Sequence, residues 1–395
     1  MDPHQTPYRW VMLLLLWLLY LSFGLVNRAI APLVTPILKD LHLSYTQMGL
    51  ILGSWQLTYV FVALISGTII DKWGVRRALL AGVAIVGLSS ALRCFPTGFW
   101  TMLGAVALFG AGGSMISIGC PKTISIWFRG ESRGTAVGFY LTGARVGGIF
   151  ALTLTNSLIM PLAGYSWRYT FLFYGLFTFM VASLWWFFAR DAELPMSNEE
   201  AGSFEIFARL IKVKTVQIVL LLGLLSLAIS HGFSNWLPKI LEANGFSPAF
   251  AGFTASLPLA AGIPSLLIIP RLVPVQSRGR FLTVSALLVI VTLILSIATS
   301  GGLQFVGLIL FGVIIALFMP ILTLILMDTP EVGSRYMGVA GGMFFCIAEI
   351  GGFTSPVIMG VLVDLTGAFL TSVLFLSGLS LTMVFLTFSL KTKSV

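Results

Sequence analysis

The sequence predicts an all-α membrane protein with twelve transmembrane helices in two six-helix bundles. Hydrophobic residues make up 57% of the chain, charged residues only 9%, and the mean hydropathy is +1.00. A soluble domain carries about 25% charged residues, so lipid must surround most of this chain. The apolar residues form long continuous runs without the alternation of a membrane β-barrel, and such runs predict spanning helices.

Twelve apolar segments are long enough to cross a bilayer as helices. They lie at residues 10–33, 46–70, 78–95, 99–126, 134–160, 167–189, 214–238, 247–270, 280–299, 302–327, 335–362 and 367–390. A polar segment with acidic and basic residues follows the sixth one. We therefore expect an N-terminal six-helix bundle at 1–190, a cytoplasmic linker at 191–213 and a C-terminal six-helix bundle at 214–395.

The positive charges between the spans indicate one orientation. If the N-terminus is cytoplasmic, most loop lysines and arginines face the cytoplasm, as the positive-inside rule requires. Near the outer side we place only Lys39, Arg93, Arg168 and Lys239. This placement explains the net charge of +9 without a nucleic-acid partner. We expect a multi-pass protein of the cytoplasmic (inner) membrane with both termini in the cytoplasm.

Short matches relate the two halves of the chain. Ala-Arg-Val-Gly-Gly at 144–148 matches Ala-Glu-Ile-Gly-Gly at 348–352, and a weaker match relates 36–49 to 238–252 at a similar offset. Parallel six-helix repeats are one plan for alternating access around a site in the middle of the membrane. Small residues permit close helix crossings. We expect such crossings at Gly110, Gly112, Gly113, Gly143, Gly147 and Gly148.

The loop between the second and third spans carries the most specific pattern. It reads Gly67-Thr68-Ile69-Ile70-Asp71-Lys72-Trp73-Gly74-Val75-Arg76-Arg77. This resembles the signature loop of the major facilitator superfamily (MFS): Gly, three residues, Asp, a basic residue, an aromatic residue, Gly and further basic residues. The resemblance implies a two-bundle secondary transporter in which this loop stabilises one gate conformation. A plain positive-inside loop is the alternative interpretation.

Each residue type in this loop has a physical reason. We expect Gly67 to permit close helix approach and Asp71 to accept hydrogen bonds at a neighbouring helix N-terminus. The basic residues would hold this arrangement and bind anionic headgroups. The corresponding loop of the second half, at 270–280, lacks the Gly and the Asp. The predicted gating motif consists of Gly67, Asp71, Lys72, Gly74, Arg76 and Arg77.

Further short motifs resemble the organic-anion and carboxylate carriers of this superfamily. They are Pro121-Lys122, Trp127-Phe128, Glu131-Ser132-Arg133-Gly134, Trp167-Arg168 and Asn235-Trp236-Leu237-Pro238. This resemblance implies an organic-anion substrate.

Ionisable residues inside the spans are candidates for function, because each costs at least ~2.5–3.5 kcal/mol to insert. Away from the span ends, the N-terminal half contains three cations in its spans (Arg28, Lys122 and Arg145) and no carboxylate. An anionic solute would compensate such charges, and arginine suits a carboxylate. We therefore predict a small organic anion as the substrate. The predicted substrate-binding residues are Arg28, Lys122, Tyr140, Arg145, His231 and Asn235.

Each of these predictions has a structural alternative. Arg28 and Lys122 can extend to the membrane surface, Arg145 can be an ion-pair partner, and His231 can serve as a hydrogen-bond partner. Glu349 lies well inside a span, where a low dielectric favours its neutral form, and we predict that it couples transport to protons. Its alternative role is an ion pair with Arg145 or another cation. Exchange of one anion for another is the alternative to proton coupling.

The sequence contains no phosphate-binding Gly-rich loop and no His/Cys cluster with metal-ligand spacing, so we expect neither an enzyme nor a cofactor or metal. The expected partners are a small organic anion, a proton or counter-anion and membrane lipids, with the chain acting as a monomer. One alternative function is export of amphipathic drugs or metabolites, with the cations serving as gate struts. A sensor or an uncoupled facilitator on the same fold is another.

Overall fold

The computed structural model describes residues 7–191 and 203–390. Within this part of the chain we find helices, turns and short connections but no strand. Eleven helices are long and apolar enough to cross a membrane, and a bent helix at Tyr45–Trp73, with an angle of 59° between its two parts, makes the twelfth. The predicted all-α membrane fold with twelve spans is confirmed.

Eight helices lie in the first half, between residues 7 and 191. They are α1 (Tyr8–Arg28), α2 (Val34–Asp40), α3 (Tyr45–Trp73), α4 (Val75–Leu92), α5 (Phe99–Trp127), α6 (Glu131–Leu154), α7 (Met160–Leu162) and α8 (Trp167–Phe188). The helix α3 begins with a capping box, in which Ser44 accepts a hydrogen bond from the backbone N–H of Gln47 and the Gln47 side chain accepts one from the backbone of Ser44. A single π-helical turn at Thr155–Ile159 joins α6 to α7.

The second half begins with a short helix after the predicted linker region. Its helices are α9 (Ser203–Leu210), α10 (Lys214–Ala243), α11 (Pro248–Leu272), α12 (Arg278–Ala298), α13 (Gly302–Met327), α14 (Gly333–Thr366) and α15 (Phe369–Phe388). Prolines lie inside α10, α11, α13 and α14. Such prolines are tolerated in spanning helices because neighbouring groups satisfy the freed carbonyls.

The chain divides into two compact units. Unit 1 comprises Met1–Met196 with Leu241–Ser256, and unit 2 comprises Ser197–Ile240 with Leu257–Val395. The division into two bundles and a linker, with boundaries after residues 190 and 213, stays a prediction. Residues 192–202 of the linker lie outside the described residues. The orientation of the termini also stays a prediction, since residues 1–6 and 391–395 lie outside them too.

Two contacts fasten segment 241–256 to the rest of unit 1. The Asn156 amide donates to the carbonyls of Pro32 (3.0 Å) and Pro248 (3.2 Å). The Thr35 hydroxyl donates to the Glu242 carboxylate. These polar contacts connect the segment to the rest of unit 1 although its sequence lies in the second half.

In unit 1, glycines allow helix backbones to touch. A Cβ at Gly147 of α6 would lie 2.0 Å from the Leu21 carbonyl oxygen of α1, and a Cβ at Gly24 of α1 would lie 1.9 Å from the Ala144 carbonyl oxygen. No side chain fits at such distances, so α1 and α6 pack with direct backbone contact. The predicted close crossings are confirmed here and at Gly110, Gly112 and Gly143, whereas the Cβ position of Gly113 meets the ring of Phe23 rather than a neighbouring backbone.

In unit 2, the same packing recurs at the repeated motif. A Cβ at Gly351 of α14 would lie 2.0 Å from the Leu224 carbonyl oxygen of α10. Gly351 and Leu224 correspond to Gly147 and Leu21 at the offset of the sequence match. The internal repeat therefore extends from sequence to helix packing.

Candidate functional site

Two arginines approach each other inside unit 1. Arg28 ends α1 and Arg145 lies in the middle of α6, next to the Gly24–Ala144 backbone contact. Both are half-buried, and Arg28 lies one turn of α1 beyond Gly24, so two positive charges that repel each other share this helix crossing. The Arg145 side chain makes no hydrogen bond or ion pair with any residue that the structure describes. An anionic solute would relieve this repulsion.

Aromatic rings from α1, α3, α5 and α6 contact one another in unit 1. The ring of Tyr140, a predicted binding residue, meets Tyr20 edge-on at 4.8 Å between centroids. Phe23 lies 5.0 Å from Phe109, which lies 5.5 Å from Trp55. Apolar rings lower the local dielectric, and a lower dielectric strengthens the attraction between the arginines and an anion.

The third predicted cation of the N-terminal half has a carboxylate partner. Lys122 of α5 donates to the Asp71 carboxylate in the last turn of α3, and the two form an ion pair. Lys122 therefore does not contribute an uncompensated charge but pairs with a residue of the predicted gating motif, and its role in substrate binding stays a prediction. The expected partner of Asp71, a helix N-terminus, is replaced here by the Lys122 ammonium group.

The other residues of the gating motif adopt distinct roles. Gly74 has φ +80° where α3 passes into α4, a conformation that favours glycine. Arg76 donates to the Trp186 carbonyl oxygen of α8 at 2.7 Å. The expectation for Gly67 is wrong, because no described atom lies within 4 Å of its Cβ position. Lys72 and Arg77 are exposed.

The remaining predicted residues lie in unit 2. His231 and Asn235 belong to α10, half-buried and buried respectively, and Glu349 belongs to α14. The Oε2 atom of Glu349 is buried and has no hydrogen-bond partner among the described residues. At the repeat offset, Glu349 corresponds to Arg145 and His231 to Arg28. In the sequence repeat, His231 and Glu349 of unit 2 therefore stand where unit 1 has its two arginines.

Arg93 is a buried cation that was not expected from the sequence. Arg93 follows α4 and is 1% exposed. Its guanidinium donates to the Val26 carbonyl (3.0 Å) and the Ser89 hydroxyl (3.2 Å), and it lies 6.0 and 5.5 Å from the ring centroids of Phe109 and Phe171. No described carboxylate pairs with it. Its place at the end of a span predicted an interfacial residue, and nothing in the sequence pattern indicated this burial.

The described residues contain no group of three or more His, Cys, Asp or Glu side chains that could hold a metal ion. The arrangement of unit 1 is chemically suited to binding an anion without a covalent step, through guanidinium groups that offer paired N–H donors.

Comparisons with known proteins agree with this fold. The sequence profile of the Major Facilitator Superfamily matches residues 16–356. The hexuronate transporter of Bacillus subtilis (strain 168) is 24% identical over 384 residues, covering 90% of this chain and 89% of the relative. The probable sulfoacetate transporter SauU of Cupriavidus necator is 24% identical over 399 residues, covering 91% and 87%. The probable galactarate/D-glucarate transporter GudP of Bacillus subtilis is 23% identical, covering 95% and 90%.

Solved structures share the architecture. A bacterial homolog of the human lysosomal transporter Spinster, inward-facing and unoccupied, superposes with a TM-score of 0.77 at 17% identity, covering 97% of this chain and 95% of that one. The nucleoside transporter NupG gives 0.78 at 17% identity, covering 95% and 98%. The profile match covers well over half of the chain, and the predicted family resemblance is confirmed: the chain belongs to the major facilitator superfamily and is a multi-pass membrane transporter, not an enzyme.

Proposed function

We propose that this transporter carries a small organic anion, most simply a carboxylate, through the membrane by alternating access. The observation that carries the proposal is the Arg28–Arg145 pair. Two guanidinium groups that repel each other inside a membrane bundle cost free energy. A carboxylate offers acceptor atoms that match the guanidinium donors. The anion would therefore bind where the end of α1 meets the middle of α6.

The relatives support the same substrate class. Their names specify hexuronate, sulfoacetate and galactarate or glucarate, each an organic acid that is anionic at neutral pH. Identities of 23–24% do not fix one acid among them. Tyr140 belongs to the proposed site of unit 1, where its hydroxyl would bind the hydroxyls or the second acid group of the solute. His231 and Asn235 of unit 2 stay predicted substrate-binding residues.

Coupling is proposed to reside in unit 2. Glu349 is the repeat counterpart of Arg145, and its buried Oε2 has no hydrogen-bond partner among the described residues. A neutral carboxyl group is cheaper than a carboxylate in that environment, so Glu349 can take up a proton in one gate conformation and release it in the other. Exchange against a second anion is the alternative coupling mode. We further propose a monomer in the cytoplasmic (inner) membrane with cytoplasmic termini and the gating motif facing the cytoplasm.

Transport in proteoliposomes tests the proposal. Purified protein would be reconstituted and offered labelled galacturonate, glucarate and sulfoacetate, with and without an inward pH gradient. We expect saturable uptake of at least one acid. A thermal-shift screen runs in parallel, because a ligand that binds only the folded state raises its stability. Stabilisation by lipophilic cations alone, with no acid active in either assay, would replace this proposal by the exporter of amphipathic compounds.

A further inference from the structure

A cavity of about 170 Å³ opens in unit 1 where α4 begins and α8 ends. It lies apart from the arginine pair, and its lining combines cations with tryptophans. The residues that line it are Arg76, Arg77, Leu80, Trp185, Trp186 and Asp191.

Hydrogen bonds hold the cationic wall of this cavity in place. The Arg76 guanidinium donates to the Trp186 carbonyl at 2.7 Å and lies 5.8 Å from the centroid of the Trp186 ring. In return, the Trp185 indole N–H donates to the Arg76 carbonyl at 2.9 Å. The Nε atom of Arg76 is buried without a hydrogen-bond partner among the described residues. The guanidinium is therefore held against the end of α8 by these contacts.

The charges of the cavity favour an anion. Arg76 and Arg77 bring two positive charges, and Asp191 brings one negative charge, which leaves one positive charge in excess. The helix α4 also begins here, at Val75, and no side chain caps its first turn. The partial positive charge of a helix N-terminus adds to that of the arginines.

The surroundings of the cavity are those of a membrane surface. Trp186 is 53% exposed although it lines the cavity, and the next two residues, Phe187 and Phe188, are 74% and 52% exposed. Exposed aromatic residues at the end of a spanning helix are typical of the headgroup region of a bilayer. Basic residues at the end of a span attract anionic lipids. A ligand with both a negative group and an apolar part fits this combination better than a small soluble anion does.

We propose that this cavity binds the phosphate group of an anionic phospholipid. The phosphate would accept hydrogen bonds from Arg76 and Arg77, and the acyl chains would lie along the exposed aromatic surface beside Trp186. Because Arg76 and Arg77 belong to the gating motif, a bound lipid would join the start of α4 to the end of α8 next to the Asp71–Lys122 ion pair. This inference does not depend on the identity of the transported solute.

Lipid binding to the purified full chain tests the proposal. Native mass spectrometry of delipidated protein would measure bound phosphatidylglycerol against phosphatidylcholine, and thermal unfolding would be followed with each lipid and with inorganic phosphate. Arg77→Gln removes an exposed charge from the cavity, and Arg280→Gln removes an exposed charge from α12 as the matched control. One basic residue near a membrane surface changes anionic-lipid affinity by about fivefold.

We expect wild-type protein and Arg280→Gln to bind phosphatidylglycerol alike, and Arg77→Gln to bind it about fivefold more weakly. Equal binding of phosphatidylglycerol and phosphatidylcholine by the wild type would overturn the proposal. An equal loss in both variants would also overturn it, since general charge attraction would then suffice. Stabilisation by inorganic phosphate but not by phosphatidylglycerol would assign the cavity to a soluble anion and reject the lipid.

Discussion

Arg145 and Glu349 hold equivalent positions in the two repeats, each two residues before a glycine that touches the backbone of a neighbouring helix. Gly147 meets the Leu21 carbonyl and Gly351 meets the Leu224 carbonyl, with the same distance of 2.0 Å from the absent Cβ. One repeat therefore presents a fixed positive charge where the other presents a titratable acid. This asymmetry separates the proposed tasks of anion binding and proton coupling between the two halves of the chain.

Replacement of Arg145 by alanine should weaken binding of the transported acid. A hydrogen bond to a charged group contributes about 1.5–3 kcal/mol, which corresponds to roughly 10- to 100-fold in affinity. Arg145→Lys keeps the charge but loses the planar fork, so an intermediate affinity is expected. Titration of purified protein with the acid found in the transport screen measures the effect. Arg280→Ala is the control, and an Arg145→Ala variant with wild-type affinity would remove Arg145 from the site.

Replacement of Glu349 by glutamine should separate exchange from accumulation. The amide mimics the neutral acid but cannot release a proton, so a pH gradient should no longer drive accumulation. Exchange of internal for external substrate needs no net proton movement and should persist. Counterflow and pH-driven uptake in the same proteoliposomes measure the two activities. Accumulation by Glu349→Gln under a pH gradient would show that another group carries the proton.

The sequence was sufficient for the fold but not for the pairing of charges. The apolar runs and the loop at 67–77 predicted the spans and the family, because span length and loop chemistry are local properties. The partner of Lys122 was not predictable, since Asp71 lies on another helix and the pair depends on how α3 packs against α5. The burial of Arg93 was not predictable for the same reason, because it depends on contacts with α1 and with the rings of Phe109 and Phe171.

Each half has an ion pair at its gating loop, but the acidic and the basic residue exchange places between the two halves. In unit 1 the carboxylate Asp71 at the end of α3 pairs with the cation Lys122 near the end of α5. In unit 2 the cation Arg278, at the start of α12, pairs with the carboxylate Asp328 that follows α13. The loop at 270–280 lacks the aspartate of the gating motif, and the structure shows that a cation from this loop forms the pair instead.

Exchange of the charges of Asp71 and Lys122 should restore the transport rate and the stability that each single substitution lowers. Asp71→Lys and Lys122→Asp each place two like charges together, and we expect each to lower the transport rate. The double variant restores an opposite pair. The side chain of Asp71 is 63% exposed, so the coupling should be modest, about 0.2–1 kcal/mol. Initial uptake rates and thermal unfolding of all four proteins give the coupling free energy. A purely additive loss in the double variant would show that the ion pair contributes nothing to either property.

Addition of a single methyl group at the α1–α6 crossing should destabilise unit 1. Gly147→Ala places a Cβ against the Leu21 carbonyl, and overpacking of this kind costs about 1–3 kcal/mol. Gly134→Ala lies on the same helix with open space around its Cβ position, so the better helix propensity of alanine should leave stability unchanged or raise it by up to about 1 kcal/mol. Gly351→Ala and Gly338→Ala repeat the comparison on α14, where only the former meets a backbone carbonyl. In detergent, Gly147→Ala and Gly351→Ala should therefore unfold at lower temperatures than Gly134→Ala and Gly338→Ala. The difference should follow the packing at each position and not the helix on which it lies. Equal midpoints for Gly147→Ala and Gly134→Ala would show that α1 and α6 do not approach as closely as this structure indicates.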